Sequence, residues 1–281
     1  MSAVDQPTAR PEVPEAGGES KDDAQPPRPG RVWLPTFDCP LDLLDMDSTV
    51  ERCLELAENG GGRQVSINAA KVTMIAEDRR LSDFVNGSDV ISADGQSIVW
   101  AARLLGYSVP ERVAGTDVML ELIAAAAGRE LSVFLLGARQ DVLDDALDVL
   151  RERHPTLQIS GRNGYFTAAE EAGVAAEVRA ASPDLLFVGM PSPQKELLLD
   201  QHLADMGSPF AMGVGGSIDV IAGRRTRAPE IVQRIGLEWL FRLAQEPRRM
   251  WRRYLMGNLR FGRLLGRALA ERARSSLRGS R

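Results

Sequence analysis

Between residues 63 and 215 the chain alternates short apolar bursts with longer stretches of helical spacing, and that alternation limits the folds open to it more than any other feature. The bursts are RQVSIN at 63–68, DVISA at 89–93, LSVFLLG at 131–137, LQISG at 157–161, DLLFVGM at 184–190 and PFAMGVG at 209–215. Each is short enough to be a buried strand. Between them QSIVWAARLLG (96–106), TDVMLELIAAAAG (116–128), QDVLDDALDVLRERH (140–154) and AEEAGVAAEVRAA (169–181) carry helical spacing. A βαβα order predicts a Rossmann-like, mostly parallel sheet flanked by helices. Ligands of such sheets gather beyond the carboxyl ends of the strands, where loops and helix N-termini offer unpaired N–H groups. The motifs SIN (66–68), ADG (93–95), GAR (137–139), NGYF (163–166), GMPSPQKE (189–196) and GVGGSID (213–219) all fall at those ends.

The chain on either side of this core reads differently. Residues 1–31 are rich in Pro, Gly, Glu and Asp and nearly free of large apolar side chains, so they are expected to be a disordered tail. They lack the basic start and apolar run of a secretory signal, and no later run reaches the roughly 18 apolar residues that span a bilayer, which points to a cytoplasmic protein. Cys39, Cys53, His154 and His202 have no metal-like or disulfide-framework spacing. The α/β domain is expected to cover 32–223 and a helical appendage 224–281. The appendage holds sixteen arginines against four glutamates in a chain of net charge -5, so it is a separate electrostatic object. Its core is EPRRMWRRYL (246–255), where Pro247 breaks or caps a helix. Beyond it Trp251, Tyr254, Leu255, Leu259, Leu265 and Ala268 approximate one apolar face.

Several polar residues have two readings. Asp94, in ADG, reads first as a cap on the helix that starts near Gln96, and also suits a general base. Ser66 and Asn68 suit either substrate orientation or a turn or cap after a strand. Arg112, in ERVAGTD, is followed by Thr116 and Asp117, which suit a helix cap. GVGGSID, read alone, is only a Gly-rich turn. It is not the G-x-G-x-x-G fingerprint and no Walker lysine is present, which disfavours nicotinamide oxidoreductases and P-loop enzymes.

Taken in order, SIN, ADG, ERVAGTD, GYF, GMPSPQKE, GVGGSIDVIAG, RAP and GLEWLFRLAQEPRRMWRRYL resemble the WecG/TagA/CpsF glycosyltransferases (glycosyltransferase family 26), from about Trp33 to about Leu265. The resemblance implies the family's GT-E type of fold. It also implies inverting transfer of a sugar from a UDP-sugar to a polyprenyl-diphosphate-linked saccharide, in cell-envelope or exopolysaccharide assembly, without a catalytic metal or other cofactor. Asp94 matches the family's base, Arg112 an arginine near the donor, and Ser66 and Asn68 its Thr-x-Asn, with Ser in place of Thr. Gly164, Tyr165, Gly215, Gly216 and Asp219 match positions lining the nucleotide pocket. Lys195 stands where many members have Gln directly before Glu, with Gln194 one place earlier; it is either a partner for a donor phosphate or acidic sugar, or a solvent-exposed helix residue. Arg242, Arg249 and Arg252 match arginines that reach over the site to neutralise a diphosphate. Other arginines would meet an anionic membrane, placing the protein on the inner face of the plasma membrane. Nucleic acid is not an expected partner. A non-catalytic nucleotide-sensing or nucleic-acid-binding protein on the same sheet is the alternative. Self-association would keep the apolar face of the arginine helix soluble off the membrane.

Overall fold

A computed structural model describes residues 30–207, 210–229, 231–232, 236–245 and 257–270. The six apolar bursts are six parallel strands: β3 (Gly62–Ile67), β4 (Val90–Ala93), β5 (Val133–Gly137), β6 (Ile159–Arg162), β7 (Leu185–Gly189) and β8 (Phe210–Gly213), in the order β4-β3-β8-β7-β5-β6. Continuous apolar runs are what a strand buried on both faces requires. Along β5, Phe134 and Leu136 enter one core while Val133 and Leu135 enter the other. Along β7, Leu186 and Val188 divide from Leu185 and Phe187 in the same way.

One face is covered by α2 (Ala69–Ile75), α3 (Arg79–Asn86), α4 (Gln96–Leu104), α7 (Glu171–Ala181) and α8 (Gln194–Met206). The other is covered by α1 (Met46–Glu58), α5 (Gly115–Arg129), α6 (Gln140–Arg153) and the short α9 (Ser217–Ile221). The starts of α1 and α3 are set by Asp45 and Asp78, whose carboxylates accept from Ser48 N and from Arg80 N and Leu81 N. Cys39 and Cys53 are buried free thiols, and burial pushes Cys39 up to about 12.

Ahead of the sheet lies an antiparallel hairpin, β1 (Arg31–Leu34) and β2 (Cys39–Asp42), which the periodicity did not reveal. Its Leu34, Phe37, Cys39 and Leu41 are buried in the first core. Arg31 and Asp42 form a two-point ion pair at 2.7 and 2.8 Å, and both also serve the outer edge of β4. Asp42 Oδ2 accepts from Ile91 N at 2.6 Å, while the Arg31 guanidinium donates to the carbonyls of Ser88 and Asp89. Side chains thus take up backbone groups that an exposed edge would offer to another chain.

After α9, residues 224–229 lie outside helix and strand, and α10 spans Glu238–Gln245. Residues 257–270 are helical and pack back on the first core. Phe261 stacks on Phe37 with ring centroids 5.2 Å apart, and Leu264, Leu265 and Ala268 are at least partly buried. Of the expected apolar face, Leu265 and Ala268 lie on the covered side, and Trp251, Tyr254 and Leu255 lie outside the described residues. Leu259 is the correction: it is exposed and Phe261 takes its place, because Phe37 decides which side is covered.

Candidate active site

Asp94 follows β4, and its N–H donates to the Ile67 carbonyl at 2.9 Å, setting the end of β4 beside Asn68. Helix α4 takes Gly95 as its N-cap, so the capping role does not fall to Asp94. The Asp94 carboxylate is one-third exposed and faces Arg112, whose Nη1 lies 4.0 Å from Asp94 Oδ1 and donates to the Asp94 carbonyl at 3.4 Å. The same guanidinium reaches Glu238 Oε2 of α10 at 3.4 Å and Asp117 Oδ2 at 4.0 Å. Asp117 in turn is gripped at two points by Arg227, one of them 2.7 Å long. Hydrogen bonding to Asp117 raises the Arg227 pKa, and the nearby charges of Asp117, Glu238 and Asp94 add to the shift. Thr116 and Asp117 do not cap α5 either; its N-cap is Ala114.

Ser66 lies opposite Ser92 in the β3–β4 register, and their hydroxyls are 3.3 Å apart. The Gln64 amide donates to both, at 3.1 and 2.8 Å. A Cβ on Gly115 would come within 2.8 Å of Ser66 Oγ, so the glycine lets the first turn of α5 close over this group. Asn68 is the N-cap of α2, and its side-chain oxygen accepts from Lys71 N at 3.0 Å. It nevertheless stands against Gly95, beside Asp94.

Lys195 is buried, which removes the reading as a solvent-exposed helix residue. Its stem crosses Gly213 and its amine donates to Ser192 Oγ at 2.7 Å, 3.3 Å from Glu196 Oε1. Glu196 Oε1 also accepts from Lys71 Nζ at 2.5 Å and from Ser192 Oγ at 2.9 Å. Burial pushes the Glu196 pKa up, but Lys71, Lys195 and the two hydrogen bonds outweigh it and hold the carboxyl below its ordinary value. Gln194, the first residue of α8, is exposed.

Gly215 has φ of +56° and Gly216 is the N-cap of α9. Asp219, inside α9, has its carboxylate 3.9 Å from Arg225 Nε. Thr116 and Ser217 share a hydrogen bond of 2.8 Å, tying this turn to the first turn of α5 and hence to the Arg112 group. Gly164 serves packing. A Cβ there would lie 2.9 Å from Gly137 Cα, and its N–H donates to the Ala138 carbonyl. Tyr165 is exposed. It follows β6, on the opposite edge of the sheet from β4, five strand spacings of about 4.8 Å away, so the structure does not bring it beside Asp94. Arg242 falls in α10 with its side chain outside the described residues, as are Arg249 and Arg252 altogether.

A cavity of about 710 Å³ opens at the other end of β4, lined by Asp42, Asp47, Glu51, Glu55 and Asp89 with Arg52. Its carboxylates repel a diphosphate, so the strand ends near Asp94 remain the candidate site. The motifs RAP and GLEW contain Arg227 and Glu238, and GMPSPQKE contains Glu196, but none of the three stands out from the sequence as a site residue. Arg227 meets Asp117 110 residues away, Glu238 meets Arg112 126 away and Glu196 meets Lys71 125 away, and one sequence does not show such pairings.

The profile described as the glycosyl transferase WecG/TagA/CpsF family matches residues 34–275. A curated relative from Staphylococcus aureus (strain MW2), named N-acetylglucosaminyldiphosphoundecaprenol N-acetyl-beta-D-mannosaminyltransferase, is 31% identical over 188 residues, covering 67% of this chain and 74% of the relative.

Proposed function

The chain belongs to the WecG/TagA/CpsF family of glycosyltransferases, and from that premise we propose that it moves a sugar from a UDP-sugar to a saccharide carried on a polyprenyl diphosphate, with inversion and without a metal. The observation that carries the reading is Asp94: a carboxylate at a strand end, one-third exposed, not spent on capping, and grouped with Arg112 and the appendage residue Glu238. The name of the S. aureus relative supports the class of acceptor.

In the proposed step Asp94 takes the proton of the acceptor hydroxyl, whose oxygen forms a bond to the anomeric carbon from one face. The bond from that carbon to the diphosphate oxygen breaks on the other face, and UDP leaves with the electron pair. Ser66 and Asn68 orient the sugar. Gly215, Gly216, Asp219, Gln194 and Lys195 hold the donor, while Gly164 and Tyr165, at the opposite edge of the sheet, have no part in this step. Negative charge builds on the departing UDP, and Arg112, with Arg242, Arg249 and Arg252 of the appendage, supplies the positive charge it needs. Residues 32–223 are the catalytic domain in this reading and 224–281 the part that meets an anionic leaflet, with 1–31 a tail. No helix among the described residues is long and apolar enough to cross a membrane, so the contact would be peripheral.

The test is UDP release and product mass with a set of UDP-sugars and a short-chain lipid-diphosphate acceptor. Asp94→Asn is expected to lower turnover by about 10²–10⁴-fold and leave donor binding intact. Full activity in that variant, or salt-sensitive DNA binding with no sugar transfer by the wild type, would end the proposal.

A further inference from the structure

Helix α4 turns Ile98, Val99, Ala101 and Ala102 into the fold and leaves Trp100 and Leu104, one turn apart on its outer side, 51% and 59% exposed. These are costly side chains to leave in water, and they do not stand alone. Trp33 of β1 is 45% exposed, and its carbonyl accepts from the hydroxyl of Tyr107, which follows α4, at 3.2 Å. The loop entering α10 packs on the same helix. A Cβ on Gly236 would touch Gln96 and the Trp100 ring, and Leu237 and Leu240 just beyond are themselves partly exposed. Exposed apolar side chains, two of them indoles, therefore lie on α10, on α4 and on the hairpin, elements that meet in that order.

The hairpin joins these side chains to positive charge. Phe37, in its turn, stacks on Phe261 of the helical residues 257–270, which expose Arg263 and Arg267. Tryptophan beside aliphatic residues, next to arginines, is the composition that suits the boundary between anionic headgroups and hydrocarbon. The reaction proposed for Asp94 sets the orientation. The acceptor sugar hangs from its lipid by two phosphates only, so the catalytic carboxylate must come close to the membrane surface. Trp100 lies four residues, about 6 Å, along the helix that begins two residues after Asp94.

We propose that Trp33, Trp100 and Leu104 form an edge that inserts into the interfacial layer of an anionic bilayer, with Arg263 and Arg267 against the headgroups. The docking surface is thus built partly on the catalytic domain. This rests on the glycosyl-transfer reading for its orientation, while vesicle binding tests the surface independently.

The experiment uses the full chain and vesicles of phosphatidylglycerol and phosphatidylcholine. Trp100→Ser/Leu104→Ser, and separately Trp33→Ser, should reduce vesicle co-sedimentation at least tenfold for the double variant and several-fold for the single one. Turnover on an acceptor embedded in vesicles should fall in parallel, while turnover on a short-chain, water-soluble acceptor stays within twofold. Unchanged vesicle binding in both variants overturns the proposal. So does an equal loss on both acceptors, which would mean a damaged site. A shift to smaller species in sedimentation velocity, with vesicle binding intact, would mean that this edge covers a second copy of the chain and would also overturn it. If the wild type transfers no sugar to any acceptor, the glycosyl-transfer reading fails, and the vesicle measurement still decides the surface.

Discussion

Replacing Glu196 by Gln is expected to be among the most destabilising single changes in this protein. The carboxylate is 2% exposed and stands between two ammonium groups, Lys71 at 2.5 Å and Lys195 at 3.3 Å. Removing it leaves both cations buried without their shared counter-charge. Loss of one partner from a buried ion pair costs about 3–5 kcal/mol. At about 2–4 °C per kcal/mol for a chain of this size, Tm should fall by about 6–20 °C at pH 7. The pH dependence has a definite sign. Glu196 in the fold titrates below its ordinary 4.5, so its contribution is complete above 4.5 and fades as pH falls through the lower, folded value. The gap between wild type and variant should therefore narrow at the acid end. Thermal unfolding followed by circular dichroism from pH 7 to pH 3.5 reads both effects. The double variant Lys71→Met/Glu196→Gln should recover a good part of the loss, because it removes one stranded cation along with the anion. A Tm within about 2 °C of wild type at pH 7, or a gap that does not change with pH, would refute the view that this carboxylate is ionised and structural.

Three further outcomes follow from close contacts. Gly137→Ala should cost about 1–3 kcal/mol or more in denaturant unfolding, since its Cβ would lie 2.6 Å from the Gly189 backbone and its φ is +155°. Phe261→Ala should cost about 3–5 kcal/mol if the stack on Phe37 anchors the helix, and should make limited proteolysis within residues 257–270 faster than in the wild type. Gly115→Ala should displace the Ser66 hydroxyl and lower sugar transfer about tenfold, equivalent to about 1.4 kcal/mol, with a smaller effect on Tm than Gly137→Ala; an unchanged rate would remove Ser66 from the reaction.

The sheet was readable because parallel strands buried on both faces become unbroken apolar runs, as in VFLLG and LLFVG, which no solvent-facing element resembles. The hairpin was not. Its strands are four residues long, one contains Pro40, and Leu34, Cys39 and Leu41 find a reason to be apolar only once β4 is present beside them. Asp94 stood out through its motif, but what surrounds it did not. Arg227 meets Asp117 across 110 residues and Arg112 meets Glu238 across 126, distances over which a single sequence carries no pairing signal. Lys195 shows a different limit. Lysine is exposed by default, and here the opening above Gly213, the Ser192 hydroxyl and the carboxylate of Glu196 make its burial tolerable. In the last helix the period places Leu265 and Ala268 on the covered side but not Phe261 in place of Leu259: it permits several faces, and a ring on a distant hairpin chooses one.

The ion pair of Arg31 and Asp42 has a consequence for how copies of this chain can meet. By occupying the outer N–H and carbonyl groups at β4, it closes the sheet to growth on the side that carries Asp94. Neighbours approaching there are refused a continuous ladder and must recognise side chains instead. The reactive end of the molecule stays open to a sugar while being shut to templated stacking.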